Sequence, residues 1–169
     1  TSHNDLTSLL EYTASEETFF LEFKADIFYR TTESNHSENP RNRKNKNREN
    51  QDTYSWNVIE AIIALANTSG GAVIIGLADN GKDVVPLRDK DTDLEVANLD
   101  KYKRDLQTLL GKKSFSVPAE RPEKPNIKYS IKNCCLTEFT EIRNVNFKGH
   151  RLLAVLVKQS EELIFFSEE

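Results

Sequence analysis

The chain has 169 residues, a net charge of −4 and a charged fraction of 30%. This length suits one domain with a hydrophobic core, and the apolar fraction of 37% indicates that part of the chain is solvated loop. The acidic balance argues against a protein that binds nucleic acid over its whole surface. Since no apolar run approaches the ~20 residues that span a bilayer, and the only cysteines are adjacent, we expect an intracellular, cytoplasmic protein without membrane contact.

Two elements are predicted before residue 31. A leucine-rich helix is expected near residues 5–12, and the stretch 18–29 alternates apolar and polar positions with the period of a half-buried strand. Side chains two positions apart in a strand share a face. Glu22 and Lys24 should therefore project together, from the face opposite the apolar residues of this strand.

Residues 31–53 are polar, without apolar periodicity, and are predicted to form a long mobile insertion. A basic block lies within it. Two interpretations stay open for this block: an RNA-contacting flap, because basic side chains release counterions from phosphates, or a solvated loop. Its members are Arg41, Arg43, Lys44, Lys46 and Arg48.

The central stretch predicts a helix from residue 55 to 66, closed by Gly70 and Gly71, then a buried strand over 72–79. An Asp-Asn-Gly turn at 79–81 should lead into residues 83–87. A nucleotide-binding loop has its glycines between a strand and a helix, which is the reverse of this order. No Walker motif is present, so a nucleotide-driven ATPase is not supported.

A second amphipathic helix is predicted over residues 99–110, ended by Gly111 and followed by a proline-rich connection at 116–125. This order of elements predicts an α+β fold in a single domain, residues 1–169, with a mixed, mainly antiparallel sheet flanked by helices. The remaining strands are expected at 127–131, 136–142, 151–157 and 162–166.

Three carboxylates form the candidate site: Glu17, Glu22 and Asp79, with Lys24 beside one of them. Carboxylates bind Mg²⁺ or Mn²⁺, the metal activates water and polarises a phosphate, and a lysine offsets the charge that develops on it. Spacing alone does not decide the question, because Asp-Asn-Gly also suits a plain hairpin.

Two motifs resemble one known family. Residues 17–24, ETFFLEFK, resemble the E-x-x-x-x-E-x-K element of the Schlafen core, or AlbA_2 domain. Residues 64–87 resemble that family's A-N-T-x-G-G signature and the strand that leads to its aspartate. The resemblance implies a single Schlafen-like lobe and a metal-dependent endoribonuclease, with Glu17, Glu22 and Asp79 as the Mg²⁺- or Mn²⁺-binding triad and Lys24 as a phosphate contact.

The resemblance also implies partners. Vertebrate Schlafen cores enclose RNA between two lobes, so this lobe would pair with another Schlafen-like lobe, identical or not. Nematode Schlafen-like proteins act as subunits of an endonuclease that trims small-RNA (piRNA) precursors, and tRNA is a further candidate substrate. The alternative function is a non-catalytic Schlafen-like module that binds RNA or scaffolds an active partner.

The family's zinc site is not expected here. Many vertebrate members use one histidine and three cysteines, whereas this chain offers only Cys134, Cys135 and a neighbouring His150. Adjacent residues in a strand point to opposite faces, so both thiols would reach one ion only from a bulge.

Overall fold

The computed structural model describes residues 21–25, 55–89, 95–117, 119 and 124–169. Three predictions lie outside these residues: the helix near 5–12, the position of Glu17, and the insertion at 31–53 with its basic block.

The first sheet has the strand order β1-β2-β6-β5. β1 (Leu21–Lys24) and β2 (Gly71–Ile75) pair in parallel, whereas β6 (His150–Val157) pairs antiparallel with both β2 and β5 (Thr140–Phe147). Parallel neighbours require a long crossover. Here the connection contains the helix α1, residues 55–66.

The two faces of this sheet belong to different hydrophobic clusters. Val73, Ile75 and Leu153 pack in one cluster with residues of α1 and of the second helix, and we call this side the helix face. The opposite face carries a smaller cluster that includes Phe23 and Phe147, both fully buried. Burying each such side chain contributes about 1.5–3 kcal/mol. Alternation along β1 and β2 therefore determines which cluster each of their apolar side chains joins.

The second sheet pairs β3 (Ser114–Val117), β4 (Ile127–Ile131) and β7 (Phe166–Glu168) antiparallel, in the order β3-β4-β7. The helix α2 (Leu99–Leu110) precedes it and is capped by Asn98, whose side chain accepts the Asp100 N–H. The apolar stripe predicted for α2 is confirmed by its buried residues.

Trp56 joins α1 to the second sheet. Its ring stacks on Tyr129 at 4.7 Å between centroids, with 7° between the planes. The Phe166 ring meets Trp56 edge-on at 5.1 Å. Trp56 is only 5% exposed. This ring therefore anchors the helix against the sheet.

The fold class is confirmed, and three strand boundaries are wrong. The strand expected at 136–142 begins at Thr140, because residues Leu136–Glu138 form a 3₁₀ turn, η1, that buries Leu136. The strand expected at 162–166 is a loop up to Phe165, and β7 starts one residue later. The strand expected at 72–79 stops at Ile75, since Gly76 takes a φ of +107°.

β3 was missed, because its four residues precede prolines and become a strand only by pairing with β4. Among the described residues no helix is long and apolar enough to cross a membrane.

Candidate active site at the ends of two parallel strands

Glu22 and Lys24 share one face of β1, as the alternation predicts. In the parallel register Glu22 pairs with Val73 and Lys24 with Ile75. Both partners belong to the core of the helix face, so the charged pair lies on that face as well. The side chains are 33% and 27% exposed, and Lys24 Nζ is 3.8 Å from Glu22 Oε2. A half-buried carboxylate and a cation therefore lie side by side on a rigid strand.

The chain turns sharply where β2 ends. The Gly76 N–H donates to the Lys24 carbonyl at 2.8 Å, and the Gly76 carbonyl accepts the Val85 N–H at 2.8 Å. Beyond it, Leu77 bridges Val84 and the Gly81 N–H donates to the Ala78 carbonyl at 2.9 Å. The predicted turn at 79–81 is confirmed. It is tied to the end of β1 through Gly76.

Asp79 lies in this turn and is exposed. The side chain that organises the turn is its neighbour: Asn80 Oδ1 accepts the N–H groups of Lys82 and Asp83 at 2.9 and 3.0 Å. Within the described part of the chain, the Asp79 carboxylate has no hydrogen-bond or ion-pair partner. Asn80 therefore supplies the side-chain hydrogen bonds that stabilise the turn, and the carboxylate of Asp79 stays available for a ligand.

The parallel pairing puts the ends of β1 and β2 at one side of the sheet, and the turn that contains Asp79 follows β2 at that side. The turn packs directly on β1. A methyl group at Gly81 would come within 2.7 Å of the Phe23 ring. Phe23 projects from the face opposite Glu22, so the turn covers that other face. In the residues that the structure describes, no three His, Cys, Asp or Glu side chains form a metal-binding group, and Glu17 lies outside them.

The Asn and first Gly of the signature have structural contacts. Asn67 follows α1 and exchanges two hydrogen bonds with the backbone of Ile164. Gly70 has a φ of +72°, and a side chain there would meet the Val157 carbonyl at 2.6 Å. The end of α1 thus lies against β6 and against the loop before β7, which positions the start of β2.

The cysteines and His150 lie far apart. Cys135 precedes η1 at the Thr140 end of β5, whereas His150 pairs with Phe147 at the other end of the β5–β6 hairpin. Seven residue-to-residue steps along β5 separate the two ends, which corresponds to about 23 Å. Burial, followed by the charge of Glu138, raises the pKa of the Cys134 thiol.

Sequence reasoning missed the basic tip of the β5–β6 hairpin. Lys148 and Gly149 take φ angles of +47° and +79°, and His150 and Arg151 follow at the start of β6. Because Ile75 pairs with Leu153, β6 begins at the edge where β2 ends. A cavity of about 290 Å³ opens there, lined by residues 84–87, 95–97, 99 and 149–152. The Lys-Gly dipeptide between two apolar runs is the signal that could have predicted this turn.

The sequence model of a family described as Schlafen, AlbA_2 matches residues 17–168. No curated protein matches the chain.

Two solved structures are similar at low identity. A Corynebacterium diphtheriae protein has 16% identity and a TM-score of 0.44, over 95% of this chain and 23% of its own length. The N-terminal domain of a RecG-related protein from Nitrosomonas europaea has 19% identity and a TM-score of 0.46, over 99% of this chain and 81% of its own. The chain thus spans under a quarter of the first structure.

Proposed function

Because the chain belongs to the Schlafen AlbA_2 family, which includes enzymes that act on nucleic acids, we propose that it is a subunit of a metal-dependent endoribonuclease. The substrate is RNA, in small-RNA (piRNA) precursor or tRNA processing. The observation that carries the proposal is the Asp79 carboxylate. It has no partner among the described residues, and its turn follows a strand that runs parallel to the one that bears Glu22.

Glu17, Glu22 and Asp79 would hold Mg²⁺ or Mn²⁺. Their donor chemistry fits, since both ions prefer carboxylate oxygens and an exposed site leaves room for bound water. When bound, such an ion polarises a phosphodiester and lowers the pKa of its water.

The remaining chemistry belongs to the chain. Lys24 lies 3.8 Å from Glu22 and on the same face. There its ammonium group would contact a substrate phosphate and offset the negative charge that grows as water attacks phosphorus. Strand backbones hold Glu22 and Lys24 in fixed directions, which suits a site that needs precise geometry. Attack by water that expels the 3′ oxygen leaves a 5′-phosphate on the product.

A partner lobe is part of this proposal. Three large apolar side chains are exposed near β7: Leu163 at 57%, Phe165 at 57% and Phe166 at 40%. An exposed apolar group of this kind is typical of a protein interface. A second Schlafen-like lobe, identical or different, would cover it and supply the basic wall that a chain of charge −4 lacks. The basic block that includes Arg41 and Arg48 would add RNA contacts.

The same exposed apolar group favours a second candidate function: a non-catalytic lobe that binds RNA or scaffolds an active partner. Under this alternative the carboxylates are inherited and unused. The two candidate functions predict different effects of a single carboxylate substitution on RNA cleavage.

The test is cleavage of a panel of labelled RNAs with Mn²⁺, with Mg²⁺ and with EDTA, by the chain alone and by the chain with co-purified partners. Glu22→Gln should lower cleavage by about 100-fold or more, because the neutral amide loses the negative charge that would hold the ion and, through it, stabilise the transition state. The matched control is Glu141→Gln. Glu141 is also a strand glutamate paired with a cation two residues on, Arg143, on the far strand of the same sheet.

Metal-dependent cleavage that Glu22→Gln abolishes and Glu141→Gln keeps supports the nuclease. Cleavage by Glu22→Gln at the unmodified rate refutes it. RNA binding without cleavage in every mixture supports the non-catalytic lobe instead.

A further inference from the structure

The tip of the β5–β6 hairpin concentrates positive charge in an acidic protein. Lys148 and Gly149 both have positive φ, which is the signature of a type I′ turn. Lys148 occupies the turn itself, and Arg151 follows two residues after Gly149. Both side chains are exposed. We call Lys148 and Arg151 the tip cations.

The sheet register places Arg151, one of the tip cations, beside the candidate active site. Lys24, Ile75 and Leu153 form one row across β1, β2 and β6. Leu153 lies on the helix face, so Arg151, two residues away, belongs to that face too. From strand spacings of ~4.8 Å and a rise of ~3.4 Å per residue, the Cα atoms of Arg151 and Lys24 are about 12 Å apart.

No carboxylate neutralises the tip cations in the part of the chain that the structure describes. Lys148 Nζ lies 5.1 Å from the centroid of the Phe147 ring. Two other cations, by contrast, are held in ion pairs: Lys101 contacts Asp89 at 2.8 Å, and Arg143 contacts Glu141 at 3.0 Å.

The cavity beside Arg151 leaves space next to the guanidinium. Glu95 is the acidic residue of the cavity lining. The tip thus offers two charges without ion-pair partners among the described residues, and open space with one carboxylate in its lining.

We propose that the tip cations bind the phosphodiester backbone of the substrate RNA and hold the strand as it crosses the edge that bears Glu22 and Asp79. This inference deepens the proposed function and rests on it. A guanidinium donates two parallel hydrogen bonds to a phosphate, and a lysine ammonium contacts the next as a point charge. Contacts of this kind bind the backbone of a single strand through its charge and give little preference for base sequence.

The test measures RNA binding in EDTA, so that no step of cleavage is needed. The ligand is a fluorescein-labelled oligouridylate, followed by anisotropy across a salt series, with the chain alone and with co-purified partners. The test variant combines Lys148→Asn with Arg151→Gln. Asn-Gly is a preferred type I′ pair, so the turn keeps its geometry while two charges are removed.

The control is Lys158→Gln. Lys158 is exposed and directly follows β6 at the end away from the tip. Removing two single-strand phosphate contacts should weaken binding about tenfold or more. It should also lower the slope of log K against log salt by about 1.4, at ~0.7 per phosphate. Lys158→Gln should change the affinity less than twofold.

Glu95→Gln is the opposite substitution. It removes a carboxylate that lines the same cavity as Arg151, so binding should tighten severalfold. An unchanged salt slope in the double variant, an equal loss in Lys158→Gln, or no RNA binding by the unmodified protein in either mixture would overturn the inference.

The two proposals fail separately. Cleavage that depends on Glu22 together with a tip variant that binds normally refutes the tip and keeps the nuclease. Tip-dependent binding without any cleavage refutes the nuclease and keeps an RNA site at the hairpin.

Discussion

Asn67→Ala should be the most informative stability variant of the family signature. The Asn67 side chain donates from Nδ2 to the Ile164 carbonyl at 3.1 Å, and its Oδ1 accepts the Ile164 N–H at 2.7 Å. Ile164 is 3% exposed and belongs to the main core cluster. Alanine would remove both bonds and leave a buried N–H and a buried carbonyl without these partners.

The expected magnitude follows from those two bonds. Each contributes about 1 kcal/mol, and the desolvated backbone groups raise the loss to about 2–3 kcal/mol. In a protein of this size that corresponds to a fall in Tm of about 4–12 °C. The measurement is urea unfolding followed by circular dichroism, with a thermal scan of the same samples.

Asn133→Ala is a chemical match in a different environment. Asn133 Nδ2 donates to the Leu163 carbonyl at 2.8 Å, and its Oδ1 accepts the Phe165 N–H at 3.2 Å. The two amides therefore hold the same loop, but Asn133 is exposed and water can replace its bonds. Its loss should be below about 1 kcal/mol. If Asn133→Ala destabilised the protein as much as Asn67→Ala, burial would not be the source of the effect.

Two further predictions concern backbone strain and thiol chemistry. Gly81→Ala should destabilise the protein more than Gly149→Ala. Both glycines have a positive φ. A methyl group at Gly81 would meet the Phe23 ring at 2.7 Å, whereas a methyl group at Gly149 would meet nothing within 4 Å. The strained φ alone costs about 1–2 kcal/mol, so equal losses in urea unfolding would show that the Phe23 contact relaxes freely. In a Cys135→Ser background, burial and then Glu138 raise the pKa of Cys134, so its alkylation by iodoacetamide should need a higher pH in the folded protein than in urea. Because the pKa of Cys134 is raised in the folded protein, the part of the free energy of unfolding that is linked to the thiol proton falls as the pH rises through that pKa. Alkylation that is faster in the folded protein than in urea would contradict the raised pKa.

The local sequence pattern predicts structure correctly where residues that are close in sequence also contact each other in the fold. Strict alternation around Glu22 predicts which residues share a face, because the side-chain period of a strand is a backbone property. The Asp79 turn follows from Asp-Asn-Gly for the same reason. The strand over 136–142 was placed wrongly, because its first residues have the composition of a strand and become a 3₁₀ turn when Leu136 enters the core.

Composition and periodicity thus predict the α+β class, both described helices and the paired charges of β1, since each depends on residues a few positions apart. The family signature adds candidate roles for Glu22 and Asp79. The pairing of β1 with β2, and of β2 with β6, joins segments that lie far apart along the chain, and no local pattern encodes such a register. That register alone brings the basic hairpin tip to the edge that bears the carboxylates, because β6 begins where β2 ends.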